Sequence, residues 1–191
     1  MSVLDIFRFK RIAQFEKVSF KEFETRMKEC VPESIVSPGK YREIYNNIVL
    51  PIRKTQGSAG YDFTVPFKFD LAPGQTIKIP TGIKCKMKMS WVLILSVRSG
   101  CGQYRIQLDD TIPAIDADFY NCIRNEGDII VKLTNDNREN ITVSFNKNTS
   151  FIQGFFFQYG VTINDWRIKK QKRMGGFGST GDQNNWKKIN N

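Results

Sequence analysis

Between about residues 47 and 161 the chain breaks into short β-rich runs, each closed by a turn signal, and no long helical pattern interrupts them. The clearest runs are residues 48–52, 75–79, 91–97, 128–133, 141–145 and 151–157. Pro73-Gly74, Pro80-Thr81-Gly82 and the polar stretch 134–138 supply turns. Without helices long enough to serve as crossovers, a βαβ architecture is disfavoured. A mainly β sandwich or barrel of antiparallel strands is the natural class.

The two ends differ from this middle. Ser19-Phe-Lys-Glu22 fits a capping box, with Phe20, Phe23 and Met27 following at helical spacing and Pro32 as a stop. This predicts one short helix near 19–30 inside an N-terminal extension, residues 1–45. Its apolar stripe either packs on the β core or presents a face to a protein partner. From Lys169 to Asn191 the chain is basic, then Gly-rich, then polar, which predicts a flexible C-terminal tail after a core of residues 46–168.

With 191 residues, one domain is expected. No apolar run approaches the roughly 18 residues of a membrane span, and early charges rule against an export signal, so a cytoplasmic location is expected. Cys30, Cys85, Cys101 and Cys122 are too scattered for a zinc site and read as reduced thiols. The net charge of +10 calls for an anionic partner, either nucleic acid or a phosphorylated small molecule. The chain contains no histidine, so acid–base chemistry must fall to Asp, Glu, Lys, Tyr or Cys.

Four segments suit phosphate chemistry. Gly175-Gly-Phe-Gly-Ser-Thr-Gly181 offers close backbone approach, two hydroxyls and one aromatic, Phe177, that could stack on a base. A dinucleotide-binding reading of these glycines fails because no helix can follow in the ten residues left. Arg98-Ser99-Gly100 follows an apolar strand and combines guanidinium, hydroxyl and backbone donors. Asp62 stands where strand alternation would accept an apolar residue, and Asp116 lies beside a hydrophobic strand, three residues before Phe119.

In order, these segments resemble the motifs of the trimeric dUTPase family, of the phage type with an N-terminal extension. Ala59-Gly-Tyr-Asp62, Arg98-Ser99-Gly100, Pro113-Ala114-Ile115-Asp116-Ala-Asp118-Phe119, Ser150-Phe-Ile-Gln153-Gly and Gly175–Gly181 match the five in turn. The resemblance implies a jelly-roll-like β barrel, a homotrimer with composite sites, dUTP as substrate and Mg²⁺ as cofactor. It implies that Asp116 deprotonates the attacking water and that Asp62 meets Mg²⁺ through water. Arg98, Ser99, Gly100 and Gln153 would hold the phosphates, and Phe119 would pack under the deoxyribose. Asp110, Ala114 and Ile115 would belong to the base-reading hairpin. Phe177 would cap the uracil, with Gly178 and Ser179 closing over the phosphates.

Three positions depart from the family pattern. Asp110 replaces an asparagine, and an ionised aspartate has no N–H to donate. Pro113 replaces a glycine and removes a backbone donor. The family's tail arginine aligns with Lys172, yet Arg173 carries the fork that suits a γ-phosphate. One alternative is a dCTP deaminase of the same superfamily, whose chemistry needs a glutamate soon after the aromatic, where this chain has Tyr120-Asn121. Another is a dUTPase-like module that docks a regulatory protein, with the N-terminal helix as its contact. Specific nucleic-acid binding is not expected.

Overall fold

The computed structural model describes residues 10–167, 169–170 and 173–176. The architecture is mainly β, a jelly roll of antiparallel strands. Its elements in order are β1 (Ala13–Lys17), α1 (Phe20–Cys30), α2 (Tyr41–Asn46), β2 (Tyr61–Thr64), β3 (Phe69–Leu71), β4 (Thr76–Pro80), β5 (Ile83–Met87) and β6 (Trp91–Val97). They continue with α3 (Ser99–Gln103), β7 (Ile106–Leu108), β8 (Ala114–Asp116), β9 (Ile130–Asn135), β10 (Val143–Phe145) and β11 (Ser150–Gln158). A four-stranded sheet runs β2-β11-β6-β8 and a three-stranded one β4-β9-β7, with β1-β5 and β10-β3 as pairs.

Alternation drives the strands onto a common core. In β6, Leu93 and Leu95 are buried; β4 contributes Ile77 and Ile79, and β9 contributes Val131 and Leu133. The expected strands at 75–79, 91–97, 128–133, 141–145 and 151–157 all fall on observed ones, with ends shifted by a few residues. The run 48–52 does not form a strand: only Ile52 makes a bridge, to Asp62. Pro51 lacks the N–H that a ladder needs.

The N-terminal extension is richer than a single helix. β1 pairs with β5 from Ala13↔Met87 to Lys17↔Ile83, and α2 follows α1 after a 3₁₀ turn at Pro38–Lys40. Ser19 caps α1 as expected, accepting from the Glu22 N–H at 3.1 Å. The other half of the box is not made by Glu22. Glu126, 107 residues away, accepts from the Ser19 N–H at 2.8 Å and from its hydroxyl at 2.6 Å. The apolar stripe is spent inward: Phe23 and Met27 are fully buried, and the Phe20 and Phe23 rings lie 5.5 and 5.7 Å from Tyr45 of α2. The stripe therefore packs on the core rather than facing a partner.

Beneath α1 lies Asp128, fully buried, with no hydrogen bond to either carboxylate oxygen. Burial dominates its titration, the Gly82 and Ile83 amides pulling the other way, and the Ile83 N–H is itself given to the Thr81 hydroxyl at 3.2 Å. Burial pushes the carboxyl up to about 7. An unfolded aspartate titrates near 3.9, so above that pH the folded chain holds a proton that the unfolded chain has released. Stability contributed by this group is therefore lost as pH rises from about 4 to about 7. Urea midpoints measured from pH 5 to 8 should fall less steeply in Asp128→Asn than in the parent chain. Parallel profiles would mean that Asp128 is ionised in the fold.

Candidate active site

One group of expected site residues gathers where β2, β11 and β6 lie side by side. Asp62, Gln153 and Ser96 are in register across these three strands. Two residues beyond Ser96, Arg98 donates from its guanidinium to Asp62 Oδ2. Asp62 is buried and Arg98 half-exposed. The pair keeps a charge inside the sheet that would be costly alone. Arg98 also begins α3, its backbone extended and its carbonyl accepting from Cys101 and Gly102 N–H at 2.9 and 3.1 Å. The first turn leaves the Ser99 and Gly100 N–H groups without helical partners, and both residues are exposed. Guanidinium, hydroxyl and N–H donors thus stand together at the end of β6, a donor set whose chemistry suits an anion.

The second group sits on β8, the edge strand beside β6, where Ala114, Ile115 and Asp116 face Ile94, Leu93 and Val92. A 3₁₀ turn at Ala117–Phe119 then buries the Phe119 ring to 6% exposure. The C-terminal segment lies across this end. Arg173 pairs with Asp116 Oδ2 through one guanidinium nitrogen and donates through Nε to Asp118 Oδ1 at 2.8 Å. Its guanidinium carbon stands 5.9 Å from the Phe119 ring centre. Met174 accepts at 3.1 Å from the Arg124 N–H. A Cβ on Gly175 would fall 2.8 Å from Arg124 Cδ, and one on Gly176 would fall 3.0 Å from Phe119 Cε2. Both glycines let the segment lie close against Arg124 and Phe119.

The hairpin expected to read the base falls between β7 and β8. Asp110 is exposed at its tip, where the Ile112 N–H turns back to the Asp110 carbonyl at 2.6 Å and Thr111 has φ +60°. Pro113, without an N–H, joins the sheet through its carbonyl, which accepts from Leu95 at 3.0 Å. Lys172, Phe177, Gly178 and Ser179 lie outside the described residues.

The two groups do not meet within one chain. Asp116 faces Val92 at the start of β6, whereas Arg98 follows its end, so six residues of strand separate them, about 20 Å. Arg173 accordingly stands by the carboxylate end and not by its own chain's phosphate seat. Sequence reasoning missed Arg124, which meets the tail through its backbone and its stem and so leaves no residue-type signature. Asp118 was visible inside the third motif, but nothing in the sequence paired it with Arg173.

For magnesium, no group of three or more acidic or thiol side chains among the described residues could hold an ion outright. Asp62 is one buried carboxylate already shared with Arg98. That fits a hydrated Mg²⁺ carried by phosphates and met through water, and does not fit a dedicated cage.

Fold and site together define a jelly-roll protein built to receive a phosphorylated ligand. A family model described as dUTPase matches residues 46–181. Deoxyuridine 5'-triphosphate nucleotidohydrolase of Lactococcus lactis is 36% identical over 143 residues, covering 74% of this chain and 93% of the relative. The crystal structure of dUTPase from Streptococcus mutans aligns with a TM-score of 0.57 and 26% identity, covering 78% of this chain and 97% of that one. A mutant dUTPase of phage phi11 of S. aureus, which coordinates a structural Mg(II) ion, shares the fold with a TM-score of 0.55, 15% identity and coverage of 85% and 98%. The chain belongs to the dUTPase family.

Gly60 shows how tightly the first group is built. A Cβ there would stand 2.8 Å from Gln153 Oε1 and 3.1 Å from the Phe155 ring. Gly60→Ala should therefore cost about 1–3 kcal/mol through overpacking, read as a lower urea midpoint. An unchanged midpoint would show that Gln153 can swing aside freely.

Proposed function

We propose that this chain hydrolyses dUTP to dUMP and pyrophosphate in a homotrimer whose sites are shared between subunits. The observation that carries this reading is Asp116 at the end of β8, next to Phe119 and paired with Arg173, in a chain with no histidine. Asp116 takes a proton from a water whose oxygen then bonds to the α-phosphorus. The bond from that phosphorus to the bridging oxygen breaks, and pyrophosphate leaves with the electron pair. A carboxylate base in this role is worth about 10²–10⁴ in rate.

Arg98, Ser99, Gly100 and Gln153 hold the phosphate chain and stabilise the leaving group. Asp62 would meet, through water, a Mg²⁺ bound with the triphosphate, and the ion would supply charge to offset the phosphates. Phe119 packs under the deoxyribose, while Asp110 and the backbone of Ala114 and Ile115 read the base. Arg173 guards the base until a nucleotide arrives, then turns to the γ-phosphate, with Lys172 as the alternative. Phe177, Gly178 and Ser179 close over the uracil and phosphates.

The composite site follows from the separation along β6. A base within hydrogen-bond reach of the α-phosphorus and a seat for the adjoining phosphates cannot stand about 20 Å apart. The Asp116 of one subunit must therefore meet the Arg98 of another.

Pyrophosphate release from dUTP, dTTP, dCTP and UTP tests the reaction. Selective turnover of dUTP is expected, with Asp116→Asn slower by about 10²-fold or more. Ammonia from dCTP would instead favour the deaminase reading. For the shared site, Asp116→Asn and Arg98→Ala subunits, each nearly inactive, should regain activity when unfolded together and refolded as mixed oligomers. No recovery in proven mixed oligomers would place the whole site in one chain.

A further inference from the structure

The N-terminal extension lies before the family-matched residues 46–181, yet it grips the loop that receives the C-terminal segment. That loop, residues 120–127, is held from the extension at three points. The Tyr120 hydroxyl donates to Glu16 Oε2 of β1 at 2.8 Å. Glu126 takes both the N–H and the hydroxyl of Ser19. Arg26 of α1 donates through one terminal nitrogen to the Arg124 carbonyl at 3.0 Å.

Arg26 is itself fixed before it reaches the loop. Its Nε donates to Glu22 Oε1 and its other terminal nitrogen to Glu29 Oε2, each at 2.5 Å. All three guanidinium nitrogens are thus engaged, and the side chain is 19% exposed. Two carboxylates on one helix face aim the fork, so little freedom remains to be lost when it binds the carbonyl. On its other side, Arg124 presents its N–H to Met174 and its stem to Gly175, while Phe119 at the loop's entrance meets Gly176. One peptide-long step separates the group that α1 holds from the group that holds the tail.

We propose that Arg26 is a positioning residue for the C-terminal segment. By fixing the Arg124 carbonyl, it presets the 120–127 loop so that residues 173–176 dock with Arg173 against Asp116 and Asp118. The extension is then a working part of the closing apparatus. The docking claim stands on the nucleotide-free geometry; its kinetic consequence rests on the proposed dUTP hydrolysis.

The test uses Arg26→Met, which keeps the stem and removes the donors, with Arg26→Gln if the first does not fold. Lys28→Met is the control, since Lys28 pairs only with Glu24 on the exposed side of α1, at 3.0 Å. Without nucleotide, trypsin cleavage after Arg173, followed by mass spectrometry, should be about fivefold faster in Arg26→Met, the worth of one hydrogen bond. Lys28→Met should match the parent. With dUTP, Arg26→Met should lower kcat/KM about fivefold in the parent and less than about twofold in an Arg173→Ala background, because the two residues act through one docked segment. Unchanged cleavage, or an equal kinetic loss in both backgrounds, overturns the proposal. Faster cleavage of Arg26→Met, together with a parent chain that fails to hydrolyse dUTP, would leave the docking role standing and end the proposed reaction.

Discussion

Strand β6 is the ruler of this molecule. Hydrogen-bonded to β11 on one side and β8 on the other, it cannot shorten or bend without breaking both ladders. Its seven residues hold the Asp116 carboxylate at one end and the Arg98–Ser99 seat at the other. A regular ladder sets that distance by backbone geometry alone, whatever the side chains do. The proposal of a site shared between subunits rests on this strand length rather than on a surface patch.

Charge is handled in pairs at both ends. Asp62 is sunk in the sheet and answered by Arg98; Asp116 and Asp118, nearer solvent, are answered by Arg173. The first pair reaches across β11, from β2 to the residue that follows β6, while the second joins a strand end to a distant chain segment. Guanidinium groups suit both duties, because they can leave a carboxylate for a phosphate without changing protonation. Asp128 breaks the pattern: among the described residues no cation bonds to it, and burial pushes its carboxyl up to about 7.

Much of the barrel was legible in the sequence. Alternating runs and turn residues marked most of the long strands, and Asp62 stood out as a charge where the alternation would accept an apolar residue. The run at 48–52 misled because its composition is that of a strand while Pro51 denies it a ladder. β1 was hidden because Ala13–Lys17 alternates too weakly, and it becomes a strand only against β5. The Ser19 cap was read correctly but its second partner was not, since Glu126 arrives from 107 residues away.

By itself the sequence determined the family motifs and their order, the absence of an imidazole base, and the strands whose periodicity is local. These depend on residue type and on neighbours a few positions away. Only the tertiary structure decided that Asp116 and Arg98 stand at opposite ends of one strand, that Arg173 returns to Asp116, and that α1 braces the loop beneath residues 173–176. Each of these depends on register and on contacts between segments far apart in the chain. No local pattern encodes such pairings, because any one segment could satisfy its own preferences with many different partners.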